Sequence, residues 1–240
     1  MTADSSREAR VYRGRKASIG ADREASARLL EVVANGVADR AIRVWAPHRQ
    51  VAFGRRDANA AGYEAAREAA ADRGFPPVER SVGGRAVAYD GTTTLAFARA
   101  EPVADFRRGT DDRYDRLAAT LETALSRHGL PLEPGEPADA FCPGSHSFSL
   151  KSSEGARKVV GIAQRVRSNA ALVSGLVIVD NAPTLAGVLE PVYAALGVDF
   201  DPAGVGALTQ ATAVSVEAIR QSLEDALVGE AVPTIESLEP

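Results

Sequence analysis

The chain has 240 residues, 45% hydrophobic and 25% charged, which suits a folded domain with a sizeable core and excludes a disordered polyelectrolyte. A net charge of −4 with no basic tract excludes a general attraction to nucleic acid. One cysteine, Cys142, excludes an internal disulfide, and no apolar run approaches the roughly 18 residues that span a membrane.

Residues 1–20 carry no apolar signal segment, so a cytoplasmic location is expected; they read as a flexible segment or an edge strand. From Asp22 to Asn35 the apolar Ala25, Leu29, Leu30 and Val33 fall at helical spacing, and Gly36 can end the helix. AIRVWAP and QVAFG read as two strands joined by a tight connection at Pro47–Arg49. Residues 58–73 read as a second helix, ended by Gly74 and Pro76–Pro77. VERSVGGRAVAYDGTTTLAFAR reads as three short strands separated by glycine turns.

Residues 111–128 form a well-patterned helix with Tyr114, Leu117, Leu121, Ala124 and Leu125 on one face. Residues 131–145 are rich in Pro, Gly and acid and are expected as an exposed loop. SFSL, RKVVGIAQRVR and ALVSGLVIV read as strands, followed by helices near 183–196 and 215–228. No βαβ alternation runs through this order. The expected fold class is α+β, a mixed and largely antiparallel sheet packed with helices. It is divided as 1–20, one domain over 21–230, and a tail over 231–240.

Three segments carry candidate chemistry. In Arg80-Ser-Val-Gly83-Gly84-Arg85-Ala86-Val87, paired glycines between strands let a backbone approach a ligand, although such a pair is more often a plain hairpin turn. In Lys158-Val-Val-Gly161-Ile-Ala163-Gln164 the lysine is one of only three among 28 basic residues, with Lys16 and Lys151. Where arginine is otherwise used, a retained lysine suggests a need for a compact ammonium. Gly161 suggests a bulge or a close ligand approach on that strand. In Phe141-Cys142-Pro143-Gly144-Ser145-His146 the thiol sits among turn residues, a poor place for a core cysteine. A cation near it, Lys158 or His146, would favour a nucleophilic thiolate. Three scattered histidines and one cysteine argue against a metal site.

Together these segments resemble the lipoate–protein ligase and octanoyltransferase family, related to biotin–protein ligases, from about Asp22 to Leu208. The landmarks are Trp45-x-Pro47 leading to Phe53-Gly54-Arg55, then Arg80-x-x-Gly83-Gly84-Arg85-Ala86-Val87, then Lys158-x-x-Gly161-x-Ala163-Gln164. The resemblance implies a biotin/lipoate protein ligase-like fold. It implies substrate-binding roles for Arg80, Gly83, Gly84, Arg85, Ala86, Val87, Gly161, Ala163 and Gln164, and a Lys158 that holds the acyl carbonyl. FCPGSHSFSL ahead of ARKVVGIAQR is similar to the cysteine-dependent octanoyl or lipoyl transferases, and Arg85 stands where ATP-dependent ligases tend to carry a third glycine. Asp90-Gly91-Thr92 departs from the aspartate–leucine–glycine–asparagine stretch of ligases.

The resemblance therefore implies an acyltransferase that moves an octanoyl or lipoyl group, through a Cys142 thioester, onto a lysine of a lipoyl carrier domain. That carrier would be glycine cleavage H protein or a 2-oxoacid dehydrogenase E2 lipoyl domain, and no cofactor would be required. The alternative is a lipoate–protein ligase that uses ATP and Mg through lipoyl-AMP, with a separate accessory subunit. A third possibility is a non-catalytic protein that binds acylated carriers.

Overall fold

A computed structural model describes residues 8–80, 83–153, 155–167 and 169–239. In chain order the elements are β1 (Glu8–Gly14), α1 (Ile19–Ala34), β2 (Arg40–Trp45), β3 (Gln50–Phe53), α2 (Arg55–Ala58), α3 (Tyr63–Ala71), β4 (Pro77–Glu79), β5 (Val87–Tyr89) and β6 (Thr94–Pro102). They continue with α4 (Thr110–Ser126), β7 (Leu132–Pro134), β8 (Ser147–Ser152), β9 (Gly155–Val166), β10 (Ala170–Ile178), α5 (Ala182–Leu196), α6 (Val216–Val228) and β11 (Val232–Leu238). Eight strands form one sheet in the order β11-β1-β2-β6-β10-β9-β8-β7; β4-β3-β5 form a second, small sheet. Only the β11–β1 and β1–β2 pairs of the large sheet are parallel. The architecture is α+β and mostly antiparallel, as the element order implies.

Local signals explain the helices. Ser18 caps α1 by accepting the Ala21 N–H, and Ser215 caps α6 by accepting from Ala218. α4 buries Leu117, Leu121, Ala124 and Leu125 completely. With α6 it packs on one face of the large sheet, against Val44, Phe97, Val173 and Val177. α1 covers part of the opposite face through Leu29, Leu30 and Val33. The small sheet, α3 and α5 close the rest of that face around Phe53, Ala66, Leu176 and Tyr193.

Several expectations need correction. β1 is not an edge strand: β11 covers its outer side, so the segment read as a polar tail is the edge. β11 is mostly exposed, and backbone pairing rather than side-chain burial makes it a strand, so its composition carries little signal. The helix expected over 58–73 is shorter: α3 covers Tyr63–Ala71, and residues 59–62 separate it from the single turn of α2. Between them Gly62 lies so close to α5 that a Cβ would sit 1.8 Å from the Ala195 carbonyl oxygen. β2 and β3 do not pair, because they belong to different sheets. Nor does the glycine pair close a hairpin: β4 and β5 do not pair with each other but flank β3 on opposite sides. The loop over 131–145 contains the short strand β7, paired with β8.

Candidate functional site

β9 carries a register slip against β8: Phe148 pairs with Val160 but Ser149 with Lys158, so Val159 is the extra residue. The bulge expected near Gly161 therefore lies two residues earlier. It helps aim Lys158 into the protein, where the residue is 1% exposed. The other two lysines differ: Lys151 pairs with Glu133 at the surface, and Lys16 is half-buried.

All three ammonium donors of Lys158 find acceptors. Nζ donates to Glu136 Oε2 at 2.6 Å and to the carbonyls of Phe141 and Cys142 at 2.9 Å each. Glu136 also accepts the Gly144 N–H and the Ser147 hydroxyl, both at 2.8 Å. The lysine thus holds the loop that presents the cysteine. Glu136 was not singled out in the sequence because it stands in an acid-rich loop, 22 residues from the lysine it neutralises.

Cys142 itself is half-buried, with a left-handed φ of 43°. Its N–H donates to the Tyr193 hydroxyl at 2.5 Å, and that hydroxyl donates to the Ala86 carbonyl at 2.9 Å. Tyr193, on α5, thereby ties the cysteine loop to the glycine segment. Its hydroxyl is raised well above the ordinary tyrosine range, first by burial and then by the neighbouring sulfur. The sulfur sits against the glycine segment: the Arg85 N–H and Arg80 Nη2 each lie 3.3 Å from Sγ. Arg80 Nη2 also donates to the Arg85 carbonyl at 2.5 Å. Burial opposes the Arg80 charge, but the nearby sulfur and Tyr89 outweigh it and hold its pKa above the ordinary arginine value.

The two glycines differ. Gly84 has φ +96°, and a Cβ there would fall 2.6 Å from Cys142 Sγ and 2.7 Å from Arg80 Nη2. A Cβ on Gly83 would meet nothing within 4 Å. Behind Gly84, a Cβ on Gly54 would sit 1.8 Å from the Gly84 carbonyl oxygen, so two backbones touch there. Arg85 is anchored by Asp57, which is fully buried, at 3.1 Å. Ala86 and Val87 are buried in the core beneath the segment.

Strand register extends the site across the sheet. Ala98, Ser174 and Ala163 lie side by side on β6, β10 and β9, with Ala96, Leu176 and Gly161 in the adjoining row. Alternation turns both rows away from the face that α4 and α6 cover, since Phe97 and Val173 point there. The result is a floor of mostly small side chains beside Lys158; a Cβ on Gly161 would lie 3.5 Å from Lys158 Cε.

Two sequence candidates lie elsewhere. Gln164 accepts from Arg113 Nε and donates to the Thr110 carbonyl, both at 3.0 Å, on the α4 side of the sheet. His146 stacks on Tyr114 with ring centroids 3.8 Å apart. Asp90 is a structural turn residue that accepts from the Thr92, Thr93 and Thr94 N–H groups and from Asn181.

The sheet order and helix placement define the fold of lipoate–protein ligases. A putative lipoate protein ligase from T. acidophilum with bound lipoic acid superimposes with a TM-score of 0.71 at 16% identity, over 98% of this chain and 90% of that one. A lipoate-protein ligase A bound with ATP gives 0.73 at 17% identity, over 97% and 90%. The chain belongs to the lipoyl protein ligase A/B catalytic domain family, which matches residues 24–228. Among curated relatives, the octanoyl-[GcvH]:protein N-octanoyltransferase of Geobacillus kaustophilus is 28% identical over 140 residues, 57% of this chain and 47% of that protein. The protein of the same name from Bacillus velezensis is 29% identical over 136 residues, 55% and 45% of the two chains. The chain thus spans about half the length of the curated relatives it matches. Among the described residues no helix is long and apolar enough to cross a membrane.

Proposed function

We propose that this protein is an acyltransferase that moves an octanoyl group, by way of a thioester on Cys142, onto a lysine of a lipoyl carrier domain. One observation carries the reading. The sulfur of the single cysteine meets the glycine–arginine segment, and Lys158 is hydrogen-bonded to the carbonyl of that same cysteine. Such convergence serves a thioester, because a nucleophile held among donors divides one difficult exchange into two easier steps. The relatives named octanoyl-[GcvH]:protein N-octanoyltransferases support the choice of acyl group and of transfer between carrier proteins, with octanoylated GcvH as the donor; the acceptor in this reading is a lipoyl domain such as that of an E2.

In this reading the acyl chain lies along the small-residue floor of Gly161, Ala163 and Ser174 beside Lys158. Each methylene buried there contributes about 0.8 kcal/mol, which sets a preference for chain length. Cys142 is the nucleophile, and the Arg85 N–H is a donor for charge developing at the sulfur. Lys158, Glu136 and Tyr193 are positioning residues. The reaction consumes no ATP. A ligase that works through lipoyl-AMP would need ATP and Mg and make no use of the thiol.

Incubation with an octanoylated carrier, followed by mass spectrometry of the tryptic peptide around residue 142, tests the reading. An octanoyl adduct on Cys142, absent in Cys142→Ser, is expected. Full transfer by a Cys142→Ala protein, or pyrophosphate release with lipoate and ATP, sinks it.

A further inference from the structure

The geometry points to Asp57 as a positioning residue of the acyl-transfer site: acting through Arg85, its carboxylate clamps the Gly84–Arg85 peptide so that the Arg85 N–H is aimed at the Cys142 sulfur. The inference rests on the acyl-transfer reading and gives a part to a residue that no sequence motif marked.

Three observations carry it. First, the two oxygens of Asp57 serve the two segments that meet behind the sulfur. Oδ2 accepts the Gly54 N–H and Oδ1 pairs with Arg85 Nη1, both at 3.1 Å. Second, those segments touch through bare backbone. A Cβ on Gly54 would lie 1.8 Å from the Gly84 carbonyl oxygen but 3.5 Å from the Arg85 nitrogen, so that carbonyl points at Gly54. In a planar trans peptide the N–H points opposite to the carbonyl. Pressing the Gly84 carbonyl onto Gly54 therefore directs the Arg85 N–H the other way, where Sγ lies 3.3 Å from the nitrogen. Third, the Asp57 carboxylate is fully buried, although capping the Gly54 N–H needs no charge. A neutral glutamine does the same at this position of a capping box. A carboxylate buried to that extent requires a cation, and among the described residues Arg85 is the one it pairs with.

Arg85 is thereby held along its whole length. Its guanidinium is fixed to Asp57, its carbonyl accepts from Arg80 Nη2, and its N–H meets the sulfur. The start of the segment is pinned to the same strand end as Gly54, because the Arg80 N–H donates to the carbonyl of Phe53, the last residue of β3, at 2.9 Å. This frame fixes where the sulfur stands relative to the floor of Gly161, Ala163 and Ser174. An attacking atom displaced by about 1 Å can lose about a hundredfold in rate. Asp57 bonds to Gly54 and Arg85 and not to the sulfur, so its effect on the rate passes through Arg85.

The test compares wild type with Asp57→Asn, Arg85→Met and the double variant. Asparagine keeps an oxygen for the Gly54 N–H but no charge for Arg85, and methionine removes the guanidinium while keeping an unbranched stem. Acylation by p-nitrophenyl octanoate, followed by nitrophenolate release over a range of ester concentrations, gives a maximal rate and a half-saturating concentration. The maximal rate is expected to fall about ten- to hundredfold in each single variant, the range for a slightly misplaced reacting atom. The half-saturating concentration should stay near the wild-type value, because neither residue belongs to the floor. The double variant should be no slower than the singles, since the two residues act as one unit. An unchanged maximal rate in Asp57→Asn overturns the inference. So does a rise in half-saturating concentration alone, which would make Arg85 a substrate contact, and so do additive losses in the double variant. Amide exchange of the Arg85 N–H, read by NMR, should be slow in wild type and faster in Asp57→Asn; equal rates refute the clamp. If a single variant does not fold, the double variant, which orphans no buried charge, still decides, and a wild-type maximal rate in it overturns the inference. Wild-type protein that takes no acyl group from the ester or from an octanoylated carrier defeats the acyl-transfer reading, while the exchange rates still decide the clamp.

Discussion

Replacing Lys158 by methionine removes a buried ammonium while nearly keeping its length and volume. Three acceptors lose their donor: the Glu136 carboxylate and the carbonyls of Phe141 and Cys142. Removing one partner of a buried ion pair costs about 3–5 kcal/mol. Glu136 keeps the Gly144 N–H and the Ser147 hydroxyl, and its side chain is 17% exposed, so water can reach it. Those features place the expected loss at the lower end, about 3 kcal/mol. Guanidinium unfolding followed by tryptophan fluorescence, with the slope checked for constancy, measures it. The companion change Glu136→Gln neutralises the abandoned carboxylate. The double variant should therefore be more stable than the sum of the singles by about 1–2 kcal/mol. Cys142 in Lys158→Met should also lose its fixed orientation and react more slowly with iodoacetamide. A loss under 1 kcal/mol, or strict additivity with Glu136→Gln, would refute the claim that this lysine braces the cysteine loop.

Gly84→Ala must place a Cβ 2.6 Å from the sulfur at a φ suited to glycine, so about 1–3 kcal/mol of stability and most of the Cys142 reactivity should be lost. Gly83→Ala, which meets nothing, should leave both near wild type; equal effects in thermal melts and alkylation assays would contradict the geometry. Tyr193→Phe leaves the half-buried Cys142 N–H without its acceptor. About 1–3 kcal/mol should go in guanidinium unfolding, and unchanged stability would show that this bond is not made. All five tyrosines, Tyr12, Tyr63, Tyr89, Tyr114 and Tyr193, are raised, chiefly by burial, with Tyr63 pushed up to about 12. Above pH 10 the unfolded chain ionises these hydroxyls while the folded protein keeps them protonated. Stability contributed below pH 10 is then lost as pH rises toward the folded values, by up to about 1.4 kcal/mol per pH unit for each tyrosine. Unfolding midpoints at pH 9, 10 and 11 check this, and Tyr63→Phe should flatten the decline.

The helices were legible because their signals are local. Leu117, Leu121, Ala124 and Leu125 repeat at helical spacing and are the residues α4 buries, while Tyr114 at the same spacing stacks on His146 instead. Strand partners were less legible. β2 and β3 adjoin in sequence yet lie in different sheets, and β11 carries almost no apolar pattern because it forms an exposed edge. Pairing of that kind is decided by backbone groups distant in the chain, and composition does not record it.

The same division runs through the site. Residue types alone marked Cys142, Lys158 and the glycine pair as the places where chemistry is expected, since a lone thiol in a turn and a rare lysine on a strand are unusual wherever they occur. Their roles were decided by the tertiary structure. A bulge at Val159 helps turn Lys158 inward, and Glu136 and two carbonyls then use every donor it has. Arg80, 62 residues from Cys142 in the chain, reaches the sulfur from the end of β4, which pairs with β3 in the small sheet. Charge and hydrogen-bond partners depend on distance in space, which a linear order of residues does not specify. The sequence therefore determined which groups are present, and only the fold decided which cation meets the sulfur.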